Sequence, residues 1–138
     1  MDYQVDLDPT HCVIRITVTA EIVTPELAED IRIRSERVAS SGGPFAAIVD
    51  ASRVTSWTEP AVAIRDAAFR DPAVPGGRAH VTVAREPSVF GLARMFQLCR
   101  DFFGEQYQVV QSLEEAYGIV GARPEDFTER LFPKDLAA

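Results

Sequence analysis

The chain has 138 residues, a formal net charge of −7 and a charged fraction of 25%, which suits one domain with an ordinary core. The acidic balance argues against binding to nucleic acid or to anionic lipid surfaces, because both require basic patches. No apolar stretch approaches the roughly 20 residues of a membrane span, so we expect no membrane insertion. The start of the chain lacks the basic and apolar regions of a signal peptide, and a cytoplasmic location is expected.

The first elements predicted along the chain are two strands. Apolar and polar residues alternate over residues 3–7 and again over residues 14–20, which is typical of strands with one buried face. Asp8, Pro9, Thr10 and His11 separate them and favour a turn, since proline fixes its second position. We therefore expect an antiparallel hairpin.

A helix is predicted to begin at Thr24 and Pro25, a hydroxyl cap followed by proline at the first helical position, and to end at Gly42 and Gly43. The apolar run over residues 45–49 follows, and such a run indicates a strand buried on both faces of a parallel sheet. A second helix is expected to begin at a cap formed by Thr58 and to end at Asp71, because the residue before Pro72 avoids the helical conformation. Its expected buried side consists of Ala61, Ile64 and Ala68.

Residues 80–84 indicate another strand, and Ser88 is the expected cap of the longest helix. Its apolar residues recur at spacings of three and four and predict a buried stripe of Leu92, Met95, Phe96, Cys99, Phe102 and Phe103. A last strand is expected over residues 107–110. Ser112 and Glu115 form a capping-box pattern at the start of a helix that Gly121 ends.

The alternation of strands and helices predicts an α/β fold, with a mostly parallel five-stranded sheet, an N-terminal antiparallel hairpin and four to five helices. We expect one domain over residues 1–121. The segment 122–138 is expected to be a short helical tail that packs on it.

The loop after the buried strand is the expected functional site, because ligands bind at the carboxyl ends of parallel strands. It offers Asp50, Ser52, Thr55, Ser56, Trp57, Thr58 and Glu59. Neither histidine has a nucleophile at a motif spacing, no glycine pattern fits a phosphate loop, and Cys12 and Cys99 match no metal spacing. We therefore expect no catalytic residues, no cofactor and no metal.

Three features of the sequence leave alternatives open. Arg85 and the helix start at Ser88 either hold an anion or are solvated. Trp57 either anchors a partner or folds back as a lid. The helix segment that contains Phe90 and Arg94 either lines an apolar ligand cavity or packs in the core.

Three segments resemble the STAS domain, and most closely its SpoIIAA-like, STAS/SEC14-like branch. They are AIVDASRVT at 47–55, FGLARMF at 90–96 and VQSLEEA at 110–116, and the resemblance extends to Gly121. In the antagonist proteins of this family, an Asp-Ser-Ser-Gly motif carries a phosphorylated serine. The matching positions here are 58–61, and Glu59 stands in place of that serine, so we expect no phosphoserine switch there. Ser56 or Thr58 would be the alternative sites.

The resemblance implies a non-catalytic regulatory or protein-interaction module with a protein partner or a second copy of the chain. The alternative is a carrier or sensor of a small apolar or lipid-like ligand. The residues expected to contact the partner or ligand are those of the loop, together with Ser88, Phe90 and Arg94.

Overall fold

A computed structural model gives the fold and describes residues 2–69, 78–101 and 106–134. Its main sheet contains six strands, which are β1 (Tyr3–Asp8), β2 (Val13–Val18), β4 (Ala46–Asp50), β6 (His80–Val83), β7 (Tyr107–Val110) and β8 (Glu129–Phe132). Two short strands, β3 (Ile22–Val23) and β5 (Ser56–Trp57), form a separate two-stranded sheet. The described helices are α1 (Pro25–Ser40), α2 (Ala61–Ala68), α3 (Pro87–Asp101) and α4 (Leu113–Val120).

The predicted hairpin is present at the start of the chain. β1 and β2 pair antiparallel, from Tyr3 opposite Val18 to Asp8 opposite Val13. The turn forms because the Asp8 carboxylate accepts the backbone N–H groups of Thr10 and His11, at 2.9 and 3.1 Å. An aspartate that bonds the backbone two and three residues ahead stabilises such a turn.

The central strands of the sheet are parallel, as the buried run at residues 45–49 predicts. β2, β4, β6 and β7 pair side by side in the same direction, and the full order is β7-β6-β4-β2-β1-β8. The chain is therefore an α/β protein with a mixed sheet.

The C-terminal segment differs from the helix that the sequence predicts. It forms one 3-10 turn at Pro124–Asp126 and then β8, which pairs antiparallel with β1 and adds a sixth strand. The segment is too short between its prolines for a stable helix, while the outer edge of β1 offers unpaired backbone groups. Pairing with that edge satisfies them.

Two of the expected helix caps are not formed by the predicted hydroxyls. Thr58 does not cap α2, because its hydroxyl donates to the Val23 carbonyl; the helix begins after Pro60 without a side-chain cap. Ser88 does not cap α3, because the Glu86 carboxylate accepts the backbone N–H groups of Ser88 and Val89. The expected cap at Thr24 is confirmed, since its hydroxyl accepts the Leu27 N–H at 3.2 Å.

The last helix begins and ends as its sequence predicts. The Ser112 hydroxyl accepts the Glu115 N–H at 3.2 Å, and Gly121 ends α4 in the left-handed conformation with φ of 73°. The expected helix end at Asp71 and the expected buried residues Phe102 and Phe103 lie outside the described residues.

The two faces of the sheet carry different layers. On one face, residues of α1 and α3 pack with β1 and β2 in the larger buried cluster. On the other face, Ala116 of α4 packs against Ile48, Val81 and Val83. The loop that follows β4 leaves the sheet at the carboxyl end of that strand and returns over the first face, where Glu59 contacts Arg32 of α1.

Candidate functional site

Hydrogen bonds and buried side chains fix the loop between β4 and α2 to the rest of the protein along most of its length. The Asp50 carboxylate accepts the Ser52 N–H at 3.0 Å, and the Ala51 N–H donates to Val83 of the neighbouring strand. Ala51 and Val54 are both 1% exposed. Two apolar residues at these positions therefore fix the loop to the core, although the sequence around them is polar.

The far end of the loop is fixed by the small sheet. Ser56 and Trp57 of β5 pair with Ile22 and Val23 of β3. The Thr55 hydroxyl adds a hydrogen bond to the Glu21 carbonyl at 3.2 Å. The loop hydroxyls that the sequence offers as contacts thus serve mainly to hold the backbone.

Glu59 lies inside the protein and forms an ion pair with Arg32 of α1. Its side chain is 5% exposed, and its two oxygens accept from the Arg32 Nη1 and Nη2 atoms at 2.6 and 2.5 Å. The Trp57 indole N–H donates to the same carboxylate at 3.2 Å. A two-point guanidinium–carboxylate contact is the strongest geometry for this kind of pair.

The pair shifts the acidity of Arg32. Burial alone lowers the pKa of the guanidinium, but the hydrogen bonds and the charge of Glu59 outweigh burial and raise that pKa. Arg32 therefore carries its charge near neutral pH. The Arg32–Glu59 pair is electrically neutral as a unit.

Beneath the loop lies a cavity of about 220 Å³ between the sheet and the three helices α1, α2 and α3. Its walls are mainly apolar, and their apolar members are Ile16, Ala28, Ile31, Ala47, Val49, Ala51, Ile64, Ala67, Val89, Leu92, Ala93 and Phe96. Trp57 lines it from the loop side. Leu92 and Phe96 of the predicted stripe of α3 face this cavity and are half-buried. Met95 and Cys99 are also half-buried but do not line it.

The two ends of the cavity differ in their polar groups. The Arg32–Glu59 pair and Trp57 lie on the side of the loop, which follows the carboxyl end of β4. His80 and Tyr107 are the first residues of β6 and β7, so they lie at the amino ends of parallel strands, on the opposite side.

The end of the cavity near the amino ends of the strands is lined by several polar side chains. The hydroxyls of Thr82 and Tyr107 are hydrogen-bonded at 2.5 Å, and the rings of His80 and Tyr107 lie 6.3 Å apart. Arg100, one turn beyond Phe96 on α3, is 4% exposed and donates to the Ala68 carbonyl at 2.7 Å. Phe96 itself contacts the Tyr107 ring at a centroid distance of 5.2 Å.

Three of the loop residues that the sequence offers as contacts are largely covered by the protein. Asp50 and Glu59 are each 7% exposed, and Trp57 is half-buried, so none of them projects freely into solvent. Trp57 takes the lid position of its two alternatives. The reason is the pairing of β5 with β3, which folds the loop back over the helix layer.

The residues expected at the start of α3 do not gather at the cavity. The Ser88 hydroxyl bonds the Glu86 carboxylate, which occupies the helix start that an anion would need. The hydrogen bond from Ser88 and the backbone bonds lower the pKa of Glu86. Phe90 packs against the larger core cluster, and Arg94 is exposed and donates to Gln97 at 2.6 Å.

Sequence reasoning missed the charged members of the cavity wall. Arg32 and Arg100 both stand next to apolar helix positions and are easily taken for solvated residues. Their positions could have indicated that they lie near the core. Arg32 directly follows the buried Ile31 of α1, and Arg100 lies four positions after Phe96 on α3.

A second polar cluster lies at the β1–β2 turn. His11 Nδ1 is 2.7 Å from Asp8 Oδ2 and 3.8 Å from Asp126 Oδ2, and one donor atom from each residue lies within 4.8 Å of the others. Asp8 and Asp126 also accept backbone N–H groups, from the turn and from Arg123 respectively. The cluster therefore ties the hairpin turn to the 3-10 turn.

Among the helices described here, none combines the length and the apolar character that a membrane crossing requires. The search of protein-family models and the search of curated proteins each find no match to this chain.

Proposed function

We infer that this protein binds a small, mostly apolar molecule in the cavity beneath the loop, without transforming it. The observation that carries the proposal is the apolar space of about 220 Å³ between the sheet and α1, α2 and α3. The proposal corresponds to a cytoplasmic, ligand-binding version of the STAS/SEC14-like domain that the three sequence segments resemble.

The packing of the rest of the molecule supports a functional reason for this space. Protein interiors are packed like organic crystals, and voids larger than a water molecule are rare. The space beneath the loop is lined mainly by apolar side chains and is partly open to solvent, so it has the form of a pocket that a ligand can enter.

The size of the space limits the ligand. An engineered apolar cavity of about 150 Å³ binds benzene, so 220 Å³ admits a molecule of roughly nine non-hydrogen atoms. A whole phospholipid or a long acyl chain would extend well beyond this volume. The proposal is therefore narrower than a lipid carrier.

A direct test titrates toluene and ethylbenzene into the full chain and follows the thermal midpoint together with the emission of Trp57, the only tryptophan. Saturation at one hundred times Kd stabilises by about 2.7 kcal/mol, which we expect to raise Tm by about 8 °C for a domain of this size. Trp57 lines the cavity, so its emission should change at the same concentrations.

A matched pair of variants locates the site. Ala93→Leu places three more carbons in the cavity wall and should abolish both responses. Ala61→Leu makes the same change at an exposed helix position that does not line the cavity and should preserve them. Equal binding by both variants, or none by the natural chain, contradicts the proposal.

A second function, a protein-interaction module, is favoured by the outer face of the loop. Arg53, Thr55 and Thr58 are exposed there, and Ile22 of the adjoining strand β3 is 57% exposed. The contact surface would consist of these residues rather than of Asp50 and Glu59. Light scattering of the natural chain and of Ile22→Asp tests self-association: we expect a dimer that the substitution dissociates, and a monomer in both cases speaks against a second copy as the partner.

A further inference from the structure

We propose that the ligand of the cavity is a small amine with an apolar body, bound with its ammonium group at the opening of the cavity beside Ser35 and Glu36 of α1. This inference rests on the proposed ligand-binding function and names the chemical class of the ligand. It depends on the hydrogen-bonding groups that α1 presents at the cavity wall.

The first step is the position of these two residues. Arg32, Ser35 and Glu36 all line the cavity from α1, because residues three and four positions apart share one side of a helix. Arg32 and Ser35 are half-buried, whereas Glu36 is exposed. A residue that lines the cavity and remains exposed lies where the cavity meets solvent. A charged group bound there keeps part of its hydration, so it avoids the large cost of burying a charge in the apolar interior.

The second step is the hydrogen-bonding character of this wall. The Ser35 hydroxyl donates its one hydrogen to the Ile31 carbonyl at 2.7 Å, so toward a ligand its oxygen can only accept. The Glu36 carboxylate is also an acceptor that has no hydrogen to donate. Two neighbouring acceptors require a donor on the ligand, and an ammonium group supplies three N–H donors. A carboxylate ligand supplies none.

The third step is the charge that remains on this wall. Arg32 donates to both oxygens of Glu59, at 2.6 and 2.5 Å, and its Nη1 atom lies 3.6 Å from the Glu29 carboxylate. Two carboxylates therefore share the charge of Arg32. Glu36 forms no ion pair with another residue in the part of the chain that the structure describes. Its negative charge is available to a cationic ligand, and the formal net charge of −7 raises the concentration of small cations near the protein.

The experiment compares phenethylamine with 2-phenylethanol, which have the same carbon skeleton and the same number of non-hydrogen atoms, by calorimetric titration of the full chain at pH 7. The amine is protonated at this pH, as a lysine side chain is. At low ionic strength we expect the amine to bind about threefold more tightly, which is the size of effect that a partly exposed ion pair gives. The preference should decline toward equality in about 0.5 M salt, because salt screens charges that face solvent. Phenylacetate, of similar size and opposite charge, should bind more weakly than the alcohol.

Variants identify the residues responsible. Glu36→Gln removes the charge but keeps the size of the side chain, and it should abolish the preference while the affinity for 2-phenylethanol stays within about twofold. Ser35→Ala removes the second acceptor and should reduce the preference to less than about twofold. Glu26→Gln is the matched control, because Glu26 is an exposed glutamate of the same helix that does not line the cavity. It changes the net charge by the same amount as Glu36→Gln and should leave the preference intact.

The outcomes separate the two proposals. Equal affinity for the amine and the alcohol at low ionic strength, or tighter binding of phenylacetate, overturns the assignment of an amine and leaves the cavity as a ligand site. A preference that survives Glu36→Gln or Ser35→Ala unchanged, or that Glu26→Gln reduces to the same extent, overturns the position of the ammonium group at α1. Failure of all three probes, together with toluene, overturns the ligand-binding function itself.

Discussion

At the residue scale, the Arg32–Glu59 pair shows how a carboxylate that the sequence offers as a loop contact is instead buried against an arginine of α1. The residues around Glu59 have the pattern of a polar loop that leads into a helix. This local pattern does not indicate that Glu59 pairs with Arg32, which lies 27 positions earlier in the chain. The ion pair forms because β5 pairs with β3 and brings the loop against α1.

The first prediction concerns the stability of this pair. Glu59→Gln should lower the free energy of unfolding by about 3 kcal/mol, because removing one partner of a buried pair leaves the other charge poorly compensated. The measurement is urea denaturation followed by far-ultraviolet circular dichroism, which does not depend on the adjacent Trp57.

An exposed pair supplies the control for that prediction. Arg123 and Glu125 lie 3.6 Å apart with side chains 72% and 64% exposed, and Glu125→Gln should cost no more than about 0.5 kcal/mol. The double variant Arg32→Met with Glu59→Leu should lose less stability than the sum of its single changes. Equal costs at Glu59 and Glu125 would show that the buried pair is not formed.

The second prediction concerns Glu86, whose pKa is lowered by the hydrogen bond from Ser88 and by backbone N–H groups. A carboxyl whose pKa is lower in the folded state adds stability above its unfolded pKa of about 4.3, and that stability is lost as the pH falls through the folded value. The difference in unfolding free energy between the natural chain and Glu86→Gln should therefore be constant from about pH 6 upward and shrink toward pH 3. A difference that does not vary with pH would contradict the cap.

At the element scale, two glycines of α4 differ in position: one lies inside the helix and the other ends it. Gly121 ends α4 at φ of 73°, and Gly118 lies inside the helix. A Cβ atom added at either position meets nothing within 4 Å. The effect of adding a methyl group at each position is therefore set by the backbone conformation.

The third prediction uses this pair of glycines. Gly121→Ala should destabilise by about 1 kcal/mol, because the left-handed conformation is strained for alanine. Gly118→Ala should stabilise by about 0.8 kcal/mol, because alanine is the better helix former. Thermal unfolding monitored by circular dichroism checks both, and shifts of the same sign would be inconsistent with this helix end.

The elements that sequence reasoning predicted well are those with local signals. The hairpin turn at Asp8, the helix start at Thr24 and the helix end at Gly121 each depend on residues within a few positions of one another. β8 could not be found in this way. Its partner β1 lies more than 120 positions earlier, as in the contact between Asp6 and Arg130 at 2.6 Å.

At the scale of the whole molecule, the cavity could not be predicted because no local pattern distinguishes it from a packed core. The spacing of Leu92 and Phe96 is the same for a helix that packs tightly and for one that lines a space. The loop was correctly expected to lie at the carboxyl end of β4. Whether the loop lines the same cavity as Arg100 and Tyr107 depends on how α1, α2 and α3 pack together on one face of the sheet, which no local pattern indicates.

The fourth prediction concerns the stability of the empty protein. Ala93→Leu should raise the free energy of unfolding by about 1 kcal/mol in the absence of any probe, because filling a cavity commonly adds between about 0.5 and 2 kcal/mol. Chemical denaturation of the dialysed protein measures this, with Ala61→Leu as the exposed control. A loss of stability in Ala93→Leu would mean that the wall is already closely packed.

The pairing of β8 with β1 affects the order in which the sheet is completed as the ribosome makes the chain. Translation at about 5–20 residues per second separates the synthesis of Asp6 from that of Arg130 by roughly 6 to 25 seconds. During that interval the outer edge of β1 has no partner from β8, and an unpaired edge invites pairing with other nascent chains.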